Sequence, residues 1–492
     1  MTPLNLADLY LDILVSILSL LRPAEVVTAS KVCRSLRAAS KTRIVWLEVT
    51  LSMMEEHGIL SSTYSLVNID TTTLKHIATS PTRLSNLIKS RAHEAELFPV
   101  AARVLLGPNQ ENKSLGIKEV NELHSPYLFP GGRFVFIMSD TRTQVGENKT
   151  CVQLWDLGIP GLSQRFELVA GDVFDCIFTM WTIIPDGLGS GYYIIASGEK
   201  TLHQSGTLFV YLFDPNNFKI DAKPINQLAT NGGILDFSCY GTKVVAIDEV
   251  GEITAWDYKS RLAIRWKISS DMVLDENLMT LQLVDSDVFI AQKGYIFQWR
   301  IPELLDQDIL GTMPRLRDPF KTFSHLYPSP LAPSPPPSAE DRTFFAPPCP
   351  WIPASQAHIA ILDSDQNFGI YHMSLDLASS EGKASSIPTT PPSHLGSFPL
   401  TIRPQDKFAI SELRKCDESF IFCFDEKQQP AAIHVTLEES TARAVSVVEV
   451  SLLLGVKADY FYHSLCTATG RMIFVTTEFD LFVVDYLQGP SW

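Results

Sequence analysis

Cys33 lies in the stretch "SKVCRSLRAASKTRIVWLEV", next to Arg34 and near Lys31, Arg37, Lys41 and Arg43. A cysteine becomes a nucleophile when basic neighbours lower its pKa and solvent reaches it. Here Arg34 is adjacent in sequence but points to another side of a helix. Cys33 shares an apolar stripe with Val26 and Leu36, so it reads as a packing residue. The other cysteines, Cys151, Cys176, Cys239, Cys349, Cys416, Cys423 and Cys466, are scattered and form no C-x-x-C pair. Zinc-ribbon and thioredoxin-type chemistry therefore have no foothold. Eight thiols in 492 residues do not make a disulfide scaffold. The sequence has no H-E-x-x-H and no G-x-S-x-G. "GPNQENKS" at 107–114 lacks the glycine that a phosphate loop needs before Lys113. "GLGSG" at 187–191 reads as a hairpin turn, since no helical pattern follows it. The 11 histidines form no ligand-spaced pair with cysteine or carboxylate. No catalytic residue, metal or cofactor is implied, and the chemistry to explain is binding.

Charge narrows the partners. Residues 1–125 carry 13 Lys+Arg and 12 Asp+Glu, while residues 126–492 carry 27 and 43, a net of -16. An acidic body argues against nucleic acid, whose phosphates need basic surface. It argues against an anionic membrane for the same reason. "LYLDILVSILSLL" is apolar enough to resemble a signal-peptide core. It has no basic residues before it and no small-residue cleavage site after it, and it is too short to span a bilayer. The expected location is cytoplasmic or nuclear, so the sequons at Asn112 and Asn148 carry little meaning.

The elements divide the chain in three. Residues 8–57 read as three helices. In the first, Leu14, Leu18 and Leu21 make one stripe, and Ile13, Ile17 and Leu20 make its neighbour. That apolar arc is wider than burial in one small core requires. Pro23 suits the first turn of the second helix, which carries Val26, Ala29, Cys33 and Leu36. Thr42 can cap a third helix holding Ile44, Val45, Trp46, Val49 and Met53, and Gly58 is a natural stop. Residues 51–115 read as a helical linker of one or two short helices, with Asp70 as a cap and a fresh start at Pro81, then an extended approach to the next domain.

From 116 to 492 short runs rich in Val, Ile, Phe, Tyr and Trp alternate with turn residues, the pattern of antiparallel strands. A weak repeat is visible in the strand endings Trp155-Asp156, Phe213-Asp214, Trp256-Asp257, Trp299-Arg300 and Val484-Asp485. Seven units of about 50 residues fit, with Pro-rich loops inserted near 327–353 and 385–399. The strand near 481–487 is expected to pair with material near 117–124.

Two resemblances follow from these residues. Residues 1–50 resemble an F-box, the three-helix unit that docks a Skp-type adaptor of a cullin ubiquitin ligase. Leu9, Asp12, Ile13 and Leu14 stand where that family opens with Leu-Pro, an acid and aliphatics. Ile17 and Leu18 fill the next turn, Pro23 begins helix two, Val32-Cys33-Arg34 matches a Val-Cys-basic signature, and Trp46 matches the closing Trp. Tyr10 and Leu36 depart from the usual Pro and Trp. The later part resembles a degenerate WD-repeat β-propeller. The fold class expected is α+β multidomain, a three-helix F-box followed by an all-β propeller of seven blades.

The resemblances imply a non-catalytic substrate-receptor subunit of a Skp–cullin–F-box ligase. Adaptor docking would fall to Leu9, Ile13, Leu14, Ile17, Leu18, Pro23, Val26, Val32, Cys33, Leu36 and Trp46. The adaptor would bring the cullin, and the propeller would hold an unidentified protein substrate. The basic cluster reads as a solvated face or as a steering feature toward an acidic adaptor. The alternatives are a non-ubiquitin scaffold with the same two parts and a propeller-type hydrolase.

Overall fold

The computed structural model describes residues 9–91, 96–105, 117–124, 126–143, 147–162, 165–186, 191–199, 206–214, 219–220, 223–267, 279–284, 286–292, 295–301, 342–346, 356–362, 367–374, 393–399, 404–409, 418–425, 430–438, 443–454, 460–476 and 480–489. The chain falls into two compact units: Met1–Glu147 with Cys151–Asp172 and Leu452–Trp492, and Asn148–Thr150 with Val173–Ser451.

The first unit opens with helices α1 (Leu11–Ser19), α2 (Pro23–Ala29), α3 (Arg34–Ala39), α4 (Arg43–Glu56) and α5 (Thr71–Ser90). The helix expected from Val26 to Leu36 is broken in two. Cys33 is extended (φ -150, ψ 170), and its Sγ accepts from the Leu36 amide at 3.5 Å, so the thiol caps α3. Thiols are poor caps beside Ser, Thr, Asp or Asn, which is why the sequence pattern hides the break. Asp70 caps α5 as expected, accepting from the amides of Thr72 (2.8 Å) and Thr73 (3.0 Å). Gly58 ends α4 with φ 61. Pro81, by contrast, starts nothing, because α5 runs straight through it. An internal proline costs roughly 3 kcal/mol. The buried face of Leu74, Ile77, Ala78, Leu84 and Ile88 offsets it.

These helices are not a free-standing module. Leu14, Leu18, Val26, Leu36, Val45, Trp46, Val49 and Met53 belong to one apolar core with Leu128, Val135, Ile137, Trp155, Ile473, Val475, Leu481 and Val483 from the sheets of the same unit. The boundary drawn at residue 50 therefore divides sequence patterns and not cores. A 50-residue unit buries too little surface to stand alone, and here the sheets complete it.

Two sheets complete this unit. One takes Ile117–Leu123, Phe134–Thr143, Asn148–Asp156 and Glu167–Phe174 in that order, with Tyr127–Leu128 also on Phe134–Thr143. The other takes Tyr460–Cys466, Arg471–Thr476, Leu481–Asp485 and Ala101–Leu105. The last pairing corrects one expectation. Leu481–Asp485 pairs with Ala101–Leu105, in register Ala101↔Asp485 to Leu105↔Leu481, and not with 117–124. The strand "AARVL" is short and its partner is remote in sequence, so no local pattern announces it.

The second unit is a succession of antiparallel meanders. Ile177–Pro185, Tyr192–Glu199 and Thr207–Asp214 form the first, edged by Lys219–Ile220 and Asn226–Ala229. Ile234–Tyr240, Lys243–Asp248, Glu252–Asp257 and Leu262–Lys267 form the second. Three further sheets include the meanders that start at Met279, Arg342 and Pro404, the last of them also taking in Glu96–Leu97. Seven sheets in all, among the described residues, match the seven expected units, and their sequential meanders are the blade architecture of WD-repeat propellers. Both Pro-rich stretches prove to contain strands, Arg342–Ala346 and Ser393–Pro399. Pro333, Pro335, Pro336, Pro337, Pro347, Pro348, Pro350, Pro388, Pro391 and Pro392 lie outside these runs and Pro399 only ends the second, so the ladders lose no interior amide.

The strand endings have a physical basis. Asp156 accepts from Arg133 Nε at 3.0 Å and Nη2 at 2.6 Å, and from the Gly158 amide at 2.8 Å. Asp485 accepts from Arg471 Nε at 2.6 Å and Nη2 at 3.0 Å. In the ladders Lys243 stands opposite Asp257, Arg471 opposite Asp485, and Asp287 opposite Arg300.

Candidate adaptor-binding surface

On α1 the two apolar stripes part company. Leu14 and Leu18 are 1% exposed and lie in the core. Tyr10 (84%), Ile13 and Leu20 (88%) face solvent, and Ile17 between them is half-buried. Spacings of three and four put Tyr10, Ile13, Ile17 and Leu20 on one side of the helix. Leu11 is also exposed. The wide arc read from the sequence is thus one stripe for folding and one left open.

The remaining candidate docking residues divide in the same way. Val26, Leu36 and Trp46 are buried, so with Leu14 and Leu18 they are core residues and offer no contact surface. Trp46 donates its indole N–H to the Ser40 carbonyl at 2.7 Å, and Lys75 Nζ lies 5.6 Å from its ring centroid. Leu9, Pro23 and Cys33 are half-buried, and Pro23 occupies the first turn of α2. Val32 is fully presented, just before the Cys33 cap. Sequence reasoning missed Tyr10, Leu20 and Ile44, which are exposed apolar residues flanking the expected ones. The signal for Leu20 was present, since it extends the Ile13–Ile17 stripe.

The basic cluster is partly structural. Arg43 Nη2 donates to the carbonyls of Leu66 (2.6 Å), Val67 (3.2 Å) and Ile69 (3.3 Å), holding the link between α4 and α5. Arg37 Nε donates to the Ser30 carbonyl at 3.2 Å. Lys31, Arg34 and Lys41 are exposed. The surface thus combines exposed aliphatics with exposed cations, a combination suited to an apolar partner with acidic margins.

The helices are anchored beneath this surface. Tyr64 donates its hydroxyl to the Gly131 carbonyl, and burial pushes its pKa up. Arg133 Nη1 donates to the Thr63 carbonyl at 3.0 Å. His76 Nε2 lies 2.9 Å from the Pro160 carbonyl, and its Nδ1 lies 2.8 Å from Arg83 Nη1. A carbonyl only accepts and a guanidinium only donates, so the ring is neutral with its proton on Nε2. Burial holds the His76 pKa below its ordinary value. Among the described residues no three His, Cys, Asp or Glu side chains are grouped to hold a metal ion. Among them, too, no helix is long and apolar enough to cross a membrane.

The F-box-like family model matches residues 11–52, so the chain carries an F-box-like domain there. No curated protein matches the chain significantly. Among solved structures, a chain of the mitotic checkpoint complex is 11% identical with a TM-score of 0.38, covering 79% of this chain and 92% of its own. The WD40 domain of SCAP from fission yeast is 11% identical with a TM-score of 0.36, covering 74% and 84%. The β-propeller domain of Cps50 (Swd1) from Myceliophteria thermophila is 10% identical with a TM-score of 0.36, covering 75% and 99%. Identities and scores this low carry nothing about function to this chain.

Proposed function

We propose that this chain is a substrate-receptor subunit of a Skp–cullin–F-box ubiquitin ligase. F-box-like domains and propeller blades serve as protein-interaction parts, and the ligase role is the reading that joins them. One observation carries it: the open apolar stripe of Tyr10, Ile13, Ile17 and Leu20 lies within or beside the residues that match the F-box-like model. An exposed apolar stripe beside a packed one marks a partner site. The adaptor would engage this stripe with Val32, while Leu14, Leu18, Val26, Leu36 and Trp46 keep the helices in shape. The blades would hold a protein substrate, and the catalytic gain would come from proximity, by raising the local concentration of substrate lysines near a charged conjugating enzyme. No side chain of the chain performs bond chemistry in this account.

The test is co-expression of the full chain with a Skp-type adaptor and a cullin. Co-elution of all three supports the reading. Adaptor without cullin supports a scaffold outside ubiquitin transfer, and absence of the adaptor overturns both.

A further inference from the structure

The strand Ala101–Leu105 is built the wrong way out for a half-buried strand. Alternate residues point to opposite faces. Its inward residues are Ala101, Arg103 and Leu105, of which Leu105 is buried. Its outward residues are Ala102 and Val104, and the exposed apolar residues Phe98 and Val100 precede them. Phe98 is 63% exposed, Val100 54% and Val104 47%. Solvent faces of antiparallel strands are ordinarily polar, yet every outward residue here is apolar. The one charge of the strand is turned inward: Arg103 donates to Asp485 at 3.0 Å and lies 4.5 Å from the Phe166 ring centroid.

The strand also stands at an edge. It hydrogen-bonds to Leu481–Asp485 on one side and closes the order of its sheet on the other, among the described residues. Sheet edges are ordinarily guarded by charge or proline, because their unpaired amides and carbonyls can recruit another strand. Here only Pro99, ahead of the strand, serves that purpose. Acidic residues stand at both ends. Glu96, exposed on the short strand Glu96–Leu97 of another sheet, stands two residues before Phe98, and Asp480 is exposed next to Leu481, the partner of Leu105. The body from 126 to 492 carries a net charge of -16.

We propose that this edge accepts an extended segment of a partner protein as an added strand, with apolar residues at alternate positions and Lys or Arg at its ends. Backbone bonds would supply the pairing and the apolar face the affinity, as in strand-addition recognition. The flanking acids select basic ends. A second copy of this chain fits less well. Two-fold pairing of the same edge sets the Glu96 end against the Asp480 end, and each chain carries -15. The proposal is independent of the adaptor surface, which lies on other residues.

The test uses the full chain and two fluorescent peptides, Lys-Val-Thr-Val-Thr-Val-Lys and its Glu-ended counterpart, followed by polarisation up to ~1 mM, the weak end of measurable affinity. The basic peptide is expected to bind, to weaken with added salt, and to protect the amides of residues 101–105 from hydrogen exchange. Val100→Lys with Val104→Lys changes two exposed residues and is expected to weaken binding about tenfold or more with the melting temperature kept, since charge repulsion adds to the lost apolar face. The proposal fails if the basic peptide does not bind, if the acidic one binds as well, or if the double variant binds unchanged. A concentration-dependent dimer abolished by the double variant also overturns it, because the edge then belongs to a second copy.

Discussion

The Tyr64 hydroxyl donates to the carbonyl of Gly131, 67 residues further along the chain. Gly131 has φ +94, and a Cβ there would meet Ile59 Cγ2 and Thr63 Cγ2 at 3.0 Å each. This contact fastens the helical segment to a turn of the sheets. Tyr64→Phe leaves a buried carbonyl short of a partner and is expected to cost about 1–3 kcal/mol in urea unfolding. Gly131→Ala adds backbone strain and crowding, so it is expected to cost more than Tyr64→Phe. Equal midpoints for both variants and the parent would show that the contact does not hold the unit.

Arg471 is wholly buried, with Nη1 2.8 Å from the carbonyls of Gly132 and Gly158 and a paired contact to Asp485. Arg471→Leu removes one partner of a buried ion pair and is expected to cost about 3–5 kcal/mol. Lysine cannot reproduce the forked contact, so Arg471→Lys should recover little of that loss. Arg471→Leu with Asp485→Leu should be less destabilised than Arg471→Leu alone. Calorimetric melting of the three variants reads the order directly.

His76 sets a pH dependence. Its folded pKa lies below the unfolded 6.5, because burial and Arg83 disfavour the charged ring while Asp485 and the Pro160 carbonyl partly oppose them. A depressed pKa means stability that is full above pH 6.5 and is lost as pH falls toward the folded value. Asp236 runs the other way: burial raises its pKa to about 6, so its penalty is present above that pH and relieved below it. The informative quantity is therefore the difference between the parent and His76→Gln. The parent should lose more stability than the variant between pH 7.5 and 5.5 in urea titrations, and parallel losses would remove His76 from the account.

Lys31, Arg34 and Lys41 are exposed within the residues that match the F-box-like model, whereas Arg43 and Arg37 are engaged by backbone carbonyls. Exchanging the three exposed residues for glutamate is expected to slow adaptor association roughly tenfold at low salt while dissociation changes little. Stopped-flow traces at two ionic strengths measure both. An effect confined to dissociation would mean that these groups touch the adaptor instead of steering it.

The legibility of the fold varies from element to element. The α1 stripes were readable because period alone separates Leu14 and Leu18 from Ile13 and Ile17. Which stripe stays open was not, since that depends on sheets more than a hundred residues away. Of the residues that carry the family resemblance, Leu14, Leu18 and Trp46 lie in the core with Val26 and Leu36, whereas Ile13 and Val32 are exposed. The break at Cys33 was hidden by an unusual cap, and α5 was divided wrongly because a proline signal was weighed without the buried face behind it. The blades are readable from strand endings such as Trp155-Asp156 and Trp256-Asp257, which fall at the ends of paired strands. The strand Ala101–Leu105 was unreadable because its partner, ending at Asp485, is set by tertiary pairing alone.

The most direct test of the central claim compares a surface pair with a core residue. Ile13→Asp with Leu20→Asp alters the open stripe, and Leu18→Asp places a charge in the core, where an unpaired charge is strongly destabilising. Titration calorimetry of the full chain against a purified Skp-type adaptor should show binding for the parent. It should show a loss of about a hundredfold or more for the surface pair with an unchanged melting temperature, in line with the weight of central apolar contacts at interfaces. Leu18→Asp should instead lower the melting temperature. Undiminished affinity in the folded surface pair would contradict the account.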